Sequence, residues 1–227
     1  MDWPTPTLEG RLVRLEPMAL AHEEGLWHAS RDARTWEWLS IAQPQTRAEL
    51  RAYLDAALAS HADGTELPLV TIRRSDDRVV GSTRYLALRP EHRSLEIGWT
   101  WLAPEAWGTG INVEAKLLML EHAFERLGCL RVELKTDARN ERSRGAMAAL
   151  PAQFEGVHRK QMLVRGGQRR DSAWYSVIDD EWPDVRANLL RRLGRPEAEL
   201  AHEPQRVGPV AEDAVTDVRV APKGDEL

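Results

Sequence analysis

One stretch constrains this chain more than any other: LEIGWTWLAPEAWGTGINVEAKLLMLEHAFERLGCLRVE, residues 95–133, which reads as strand, loop, helix, strand. Leu95, Ile97, Trp99 and Trp101 alternate with Glu96, Gly98 and Thr100, the period of two that sends successive side chains to opposite faces of a strand. Pro104 closes that strand. Val113, Leu117, Leu120, Phe124 and Leu127 then fall on one helical stripe, and Gly128 stops the helix. Between the two elements, Trp107-Gly108-Thr109-Gly110-Ile111-Asn112 forms a glycine turn at a helix start, where unpaired N–H groups and the helix dipole favour an anion.

The flanking sequence predicts an antiparallel start and a mixed finish. A strand over residues 10–16, a short helix over 21–30 and a longer helix capped by Thr46 and ended by Gly64 come first. LPLVTIRR and RVVGSTRYLAL make a hairpin around residues 75–77, and a second turn at 90–92 leads into the central strand. After the central helix, RVELKTD returns by a right-handed crossover and lies parallel to the strand before it. Asn140 caps a further helix, two strands flank Gly166-Gly167, and Pro183 opens a last helix that Gly194 ends. The expectation is one α/β domain over residues 8–193, with a mixed, mostly antiparallel seven-stranded sheet and helices on both faces. Residues 194–227 read as a tail with little capacity for a core, in which Val215, Val218 and Val220 could dock a short strand.

Composition narrows the function classes. A net charge of −5 and a pI near 5.9 give no electrostatic reason to expect a nucleic-acid partner. Cys129 is the single cysteine, so no intrachain disulfide forms, and no apolar run reaches membrane-span length or makes a signal peptide. A cytoplasmic protein without membrane attachment is expected. The histidines show no pair at metal-ligand spacing, so no metal is expected.

The glycine turn by itself fits a plain tight turn or a dinucleotide site, with Glu133 in the place of a ribose ligand. Val113 in the third glycine position and the antiparallel strands upstream argue against the latter. The lack of Gly-Lys-Ser or Gly-Lys-Thr excludes a phosphate loop of the nucleotide triphosphatase type.

Taken in order, Leu95-Glu96-Ile97-Gly98, Pro104 to Trp107, Gly108-Thr109-Gly110 with Glu114-Ala115, Asn140-Glu141-Arg142-Ser143 and Phe154-Glu155-Gly156-Val157 resemble the GNAT superfamily of acetyl-CoA-dependent N-acetyltransferases, in its RimJ- and RimL-like branch. The resemblance covers roughly residues 8–193. It implies that acetyl-CoA binds as co-substrate against Trp101, Leu102, Trp107, Gly108, Thr109, Gly110, Ile111, Asn112, Val113, Asn140 and Ser143. Backbone N–H groups from Gly108 to Val113 would hold the pyrophosphate. The extended pantetheine arm would pair where the strands on either side of the long helix splay apart. Arg142, Arg144 and Lys116 are candidates for the adenosine phosphates and are otherwise ordinary surface charges.

Several positions depart from the family pattern. The loop begins with Trp107, Asn112 stands where Gly or Ala is usual, Met147 stands where many members have a tyrosine acid, and Leu150-Pro151 replaces Leu-Gly. Proline cannot take the positive φ of glycine, so the exit from that helix is expected to differ.

For chemistry, Glu96 is the best placed carboxylate: a general base acting through water on the acceptor amine, or else the outward residue of a half-buried strand. Ser143 is the motif-matched hydroxyl that could ease departure of the thiolate, and otherwise it serves the first helical turn. Trp36 and Trp38, around Glu37, either hold a cationic amine or pack the core. The acceptor is a peptide N-terminus or a small-molecule amine, and a homodimer stays open. A non-catalytic acyl-CoA-binding module is the second reading, and a dinucleotide oxidoreductase the third.

Overall fold

A computed structural model describes residues 3–195, so the expectations for residues 196–227, including the docked strand, fall outside the described residues. The strands are β1 (Leu8–Glu9), β2 (Val13–Pro17), β3 (Glu66–Arg73), β4 (Arg78–Arg89), β5 (Ser94–Leu102), β6 (Arg131–Asp137), β7 (Gln153–Val164) and β8 (Gln168–Ile178). The helices are α1 (Glu23–Ala29), α2 (Arg47–Ala62), α3 (Ile111–Glu121), α4 (Glu141–Ala149) and α5 (Trp182–Arg192). One sheet holds all eight strands in the order β1-β2-β3-β4-β5-β6-β8-β7. Its eighth strand is the two-residue β1, because the expected strand over 10–16 breaks at Gly10, whose N–H turns back to Val13 O.

Every recorded pairing is antiparallel except β5 with β6, as the crossover through α3 requires. A dinucleotide fold, which needs a largely parallel sheet, is therefore overturned. Two apolar cores lie on opposite faces. In β3, Leu67 and Leu69 join the core that includes α3 and α5, while Val70 and Ile72 join the one that includes α1 and α2. Both faces are covered, so the strand reads as a nearly continuous apolar run.

The expected caps are present: the Thr46 hydroxyl accepts from Glu49 N at 3.2 Å and Asn140 Oδ1 accepts from Ser143 N at 3.1 Å. The stripe on α3 is also present, prolonged by a π-helical turn, His122–Arg126, before Gly128. Among the described residues, no helix is long and apolar enough to cross a membrane.

Two local expectations fail. The alternation along β5 does not run through: Leu95 and Ile97 pack towards α3, but Trp99 and Trp101 pack towards α2. Trp99 has φ 51°, where the register of β5 against β4 slips, and the extra residue turns the following side chains over. The helix before Pro151 also keeps its left-handed exit, with Pro151 at φ 25°. Ala152 N still reaches Met147 O at 3.1 Å, so the closing bond that matters does not need the N–H proline lacks.

Candidate active site

β5 and β6 pair only from Ser94↔Arg131 to Glu96↔Glu133, although both strands continue well beyond. Past Glu96 they diverge and leave backbone groups unpaired. A cavity of about 630 Å³ occupies the opening, within the size range of ligand sites.

The glycine loop forms one end. Gly108 and Gly110 have φ 74° and 88°, conformations that side chains disfavour, and a Cβ on Gly108 would meet nothing, so its outer side is open. The Trp107 indole N–H donates to Leu102 O at 2.8 Å, and the Thr109 hydroxyl donates to Ala106 O at 2.8 Å, which ties the loop to the end of β5. The first α3 amide to close back is that of Glu114, on Gly110 O, so the amides of Ile111, Asn112 and Val113 precede the helical ladder. Asn112 Oδ1 is buried beside the cavity without a hydrogen-bond partner among the described residues. These are the features an anionic, amide-bearing ligand would satisfy, and acetyl-CoA fits them.

Of the expected cofactor residues, Trp101, Leu102, Trp107, Gly108, Gly110, Asn112, Val113, Asn140 and Ser143 line the cavity. Thr109 and Ile111 do not. Ile111 points into the core and Thr109 serves the turn, so neither side chain reaches a ligand there, though their amides belong to the loop. Arg142 lines the cavity with its guanidinium 3.8 Å from the centre of the Trp107 ring, whereas Arg144 is occupied by Tyr175 Oη and Ala138 O.

Lys116 is no surface charge. It is 9% exposed, its Nζ donates to Thr100 Oγ1 at 3.0 Å, and burial pushes its pKa down to about 7. The turned-over face of β5 brings Thr100 to it.

Glu96 lies at the other end of the cavity. It is 2% exposed, so the outward-facing reading is corrected: β6 and the cavity wall enclose it. Lys135 Nζ donates to its Oε2 at 2.8 Å. Burial pushes its carboxyl above the ordinary glutamate range, and Lys135 pulls the other way. Gly98 makes room for it, since a Cβ there would sit 2.8 Å from Glu96 Oε1. Trp38 lines this end, with the Arg139 guanidinium 5.6 Å from its ring centre. Trp36 does not. At 2% exposure it packs on Tyr53 and Trp101, with its indole N–H bonded to Ser30 O at 2.9 Å, so its assignment to the acceptor wall is corrected to the core.

Met147 lines the cavity in the place of the usual tyrosine, and no tyrosine is among the lining residues. Cys129 is buried and its thiol is pushed up to about 12, which removes it as a nucleophile. Sequence reasoning missed Arg170, which lines the same cavity as Glu96 from β8. In sequence it is one arginine in a polar run, with nothing to mark it as buried.

Known proteins share this fold. A putative acetyltransferase from T. thermophilus is 41% identical and superposes with a TM-score of 0.77, covering 84% of this chain and 99% of that one. A GCN5-related N-acetyltransferase from Brucella melitensis is 32% identical, with a TM-score of 0.79 and coverage of 84% and 86%. In Bacillus subtilis (strain 168), the putative ribosomal N-acetyltransferase YdaF is 34% identical over 91 residues, 40% of this chain and 49% of that protein. The chain spans about half the length of the curated relatives it matches. The family described as Acetyltransferase (GNAT) domain matches residues 12–152, more than half of the chain, and the protein belongs to that family.

Proposed function

We propose that the protein transfers the acetyl group of acetyl-CoA to a primary amine by direct attack while both substrates are bound. The carrying observation is a buried carboxylate, Glu96, at one end of a cavity whose other end is the open N-terminus of α3. Loop amides and Arg142 would hold the phosphates, and the unpaired edges of β5 and β6 would hold the pantetheine arm. Bound there, acetyl-CoA supplies the activated acyl group.

The remaining work falls to the chain's own residues. Glu96 accepts the proton that the amine loses as the N–C bond forms, directly or through one water. Ser143, in the first turn of α4, donates towards the sulfur as the C–S bond breaks. Lys116 is a second buried group that can exchange a proton near neutral pH. Shared positioning of the two substrates contributes much of the acceleration. The acceptor is a protein N-terminus or a small amine; the relative YdaF is named a putative ribosomal N-acetyltransferase.

Thermal unfolding with acetyl-CoA, CoA, NAD and NADP tests the ligand class. A ligand at 100 times its Kd adds about 2.7 kcal/mol. Acetyl-CoA and CoA are expected to raise Tm, and a protein that responds to neither form refutes the proposal.

A further inference from the structure

The acceptor end of the cavity holds a positive charge that the protein leaves without a counter-ion. Arg170, on β8, is 8% exposed and lines the same wall as Glu96 and Lys135. Among the described residues its guanidinium has no hydrogen-bonded or ion-paired partner, and its Nε is fully enclosed. The carboxylates whose charge reaches it are engaged elsewhere. Glu96 accepts from Lys135 at 2.8 Å, and Asp137 accepts from the Arg139 backbone N–H at 3.0 Å and from its guanidinium at 3.0 and 2.9 Å. Arg84, comparably buried, differs in having its own carboxylate, with Nη1 2.6 Å from Glu66 Oε2.

A buried charge left unpaired is costly, and proteins seldom keep one without use. The cavity wall carries one carboxylate, Glu96, against five basic side chains: Lys116, Lys135, Arg142, Arg170 and Arg192. Arg142 belongs to α4 and Arg192 bonds to Ala149 O at its end, beside the phosphate-binding loop. Lys116 lies under β5, on Thr100. Lys135 neutralises Glu96. What remains at the acceptor end is the guanidinium of Arg170.

We propose that Arg170 binds a carboxylate of the acceptor, so that the substrate is an amine bearing an acid group a few atoms from its nitrogen. This rests on the acetyl-transfer reading and names its substrate class. Glu96 attends the amine, and the planar fork of Arg170 takes both carboxylate oxygens through parallel N–H bonds, a match that an ammonium cannot make. Two sources share this chemistry: a free amino acid, whose own carboxylate is one carbon away, and a peptide whose first residue is acidic.

The test compares acceptors that differ only in the acid. Alanine is paired with alaninamide, and the peptide amide Asp-Ala-Ala with Ala-Ala-Ala, each at saturating acetyl-CoA. In at least one pair the acid should exceed its uncharged partner in kcat/KM by about 30-fold or more, the effect of a buried charge pair. The pair that responds identifies the source. Arg170→Gln should bring the ratio near one with the Kd for acetyl-CoA unchanged, and Arg170→Lys should restore part of it.

Binding of the N-acetylated acids and of their uncharged counterparts to the wild-type CoA complex, by calorimetry, gives the same comparison without turnover and without a variant that must fold. Equal binding within both pairs, or an acid preference that survives Arg170→Gln, overturns the proposal. Acid-selective binding without any acetyl transfer supports Arg170 and removes the transfer reading instead.

Discussion

Two carboxylates on opposite sides of the sheet are almost equally buried, Glu114 at 1% and Glu96 at 2% exposure, yet their surroundings differ in kind. Glu114, in the first turn of α3, accepts from the backbone N–H groups of Arg11, Leu12 and Val13 at 3.0, 2.6 and 3.0 Å. Those bonds fasten the β1–β2 turn to the helix and fill most of the acceptor capacity of the group. Glu96 has one recorded donor, Lys135, and its remaining capacity faces a cavity. Burial alone therefore does not mark a chemical group. A buried carboxylate with unspent lone pairs beside an open space does.

Exchanging each for a neutral residue should separate the two roles. Glu96→Gln should lower turnover roughly 10²–10⁴-fold, the usual share of a general base, with acetyl-CoA affinity retained. The base must be ionised to act. Because burial raises the folded pKa of Glu96, the acidic limb of the wild-type rate profile should lie above the ordinary glutamate range, and the variant should lose that limb. The deficit should be greatest above that limb, where the wild-type carboxylate is ionised, and should narrow as the pH falls through it. Equal turnover across pH 6–9, an interval of about three units, would assign proton removal to solvent.

Glu114→Ala should do the reverse: a loss of about 3 kcal/mol, since buried amides lose a charged acceptor, read as a fall in Tm of about 10 °C. Turnover per folded molecule should change little. A Glu114→Ala protein with wild-type Tm would mean that water replaces the carboxylate and that the comparison is false.

The sequence showed the fold through features that are local and repeated. The α3 stripe, the caps at Thr46 and Asn140 and the hairpin of β3 and β4 each follow from neighbours in the chain. The loop end of the site was legible for the same reason, as its amides come from consecutive residues. The end around Glu96 was not. Trp99, Trp36 and Arg170 have their surroundings through contacts between distant segments, and a single positive φ at Trp99 sends both β5 tryptophans to the core opposite that of Leu95 and Ile97. Neither sequence reading of Lys116, a phosphate contact or a surface charge, foresees its burial, because its neighbours on the helix do not reveal that Thr100 and the sheet lie above it. Of the two readings of Glu96, the outward-facing one fails because its cover comes from β6, a segment remote in sequence.

Gly98 offers a finer way to disturb the Glu96 side of the comparison. An added methyl would stand 2.8 Å from Glu96 Oε1 and 2.9 Å from Leu86 Cδ2, so the carboxylate must swing away. Gly98→Ala should lower kcat about tenfold to a hundredfold through that misplacement, with acetyl-CoA binding intact. Its pH profile should keep the acidic limb, because the base is displaced and not removed. A wild-type kcat would show that the position of Glu96 is not set within the methyl's reach.

The smallest effect belongs to the helix exit beside the cavity. Pro151 at φ 25° is outside the range its ring favours, and it lacks the N–H that would bond back to the α4 residue Ala148 in a left-handed cap. Glycine relieves strain of about 1–3 kcal/mol and adds a hydrogen bond of about 1 kcal/mol. Against this, the freer unfolded chain costs about 1 kcal/mol. The balance favours Pro151→Gly by about 1–3 kcal/mol, a rise in Tm of a few degrees. Leu150 and Met147, which line the cavity from this turn, need not move, so kcat should stay at the wild-type value. A fall in Tm would mean that the ring's restriction of the unfolded chain outweighs the strain at the exit, and that the closing bond from Ala152 to Met147 already supplies what this turn requires.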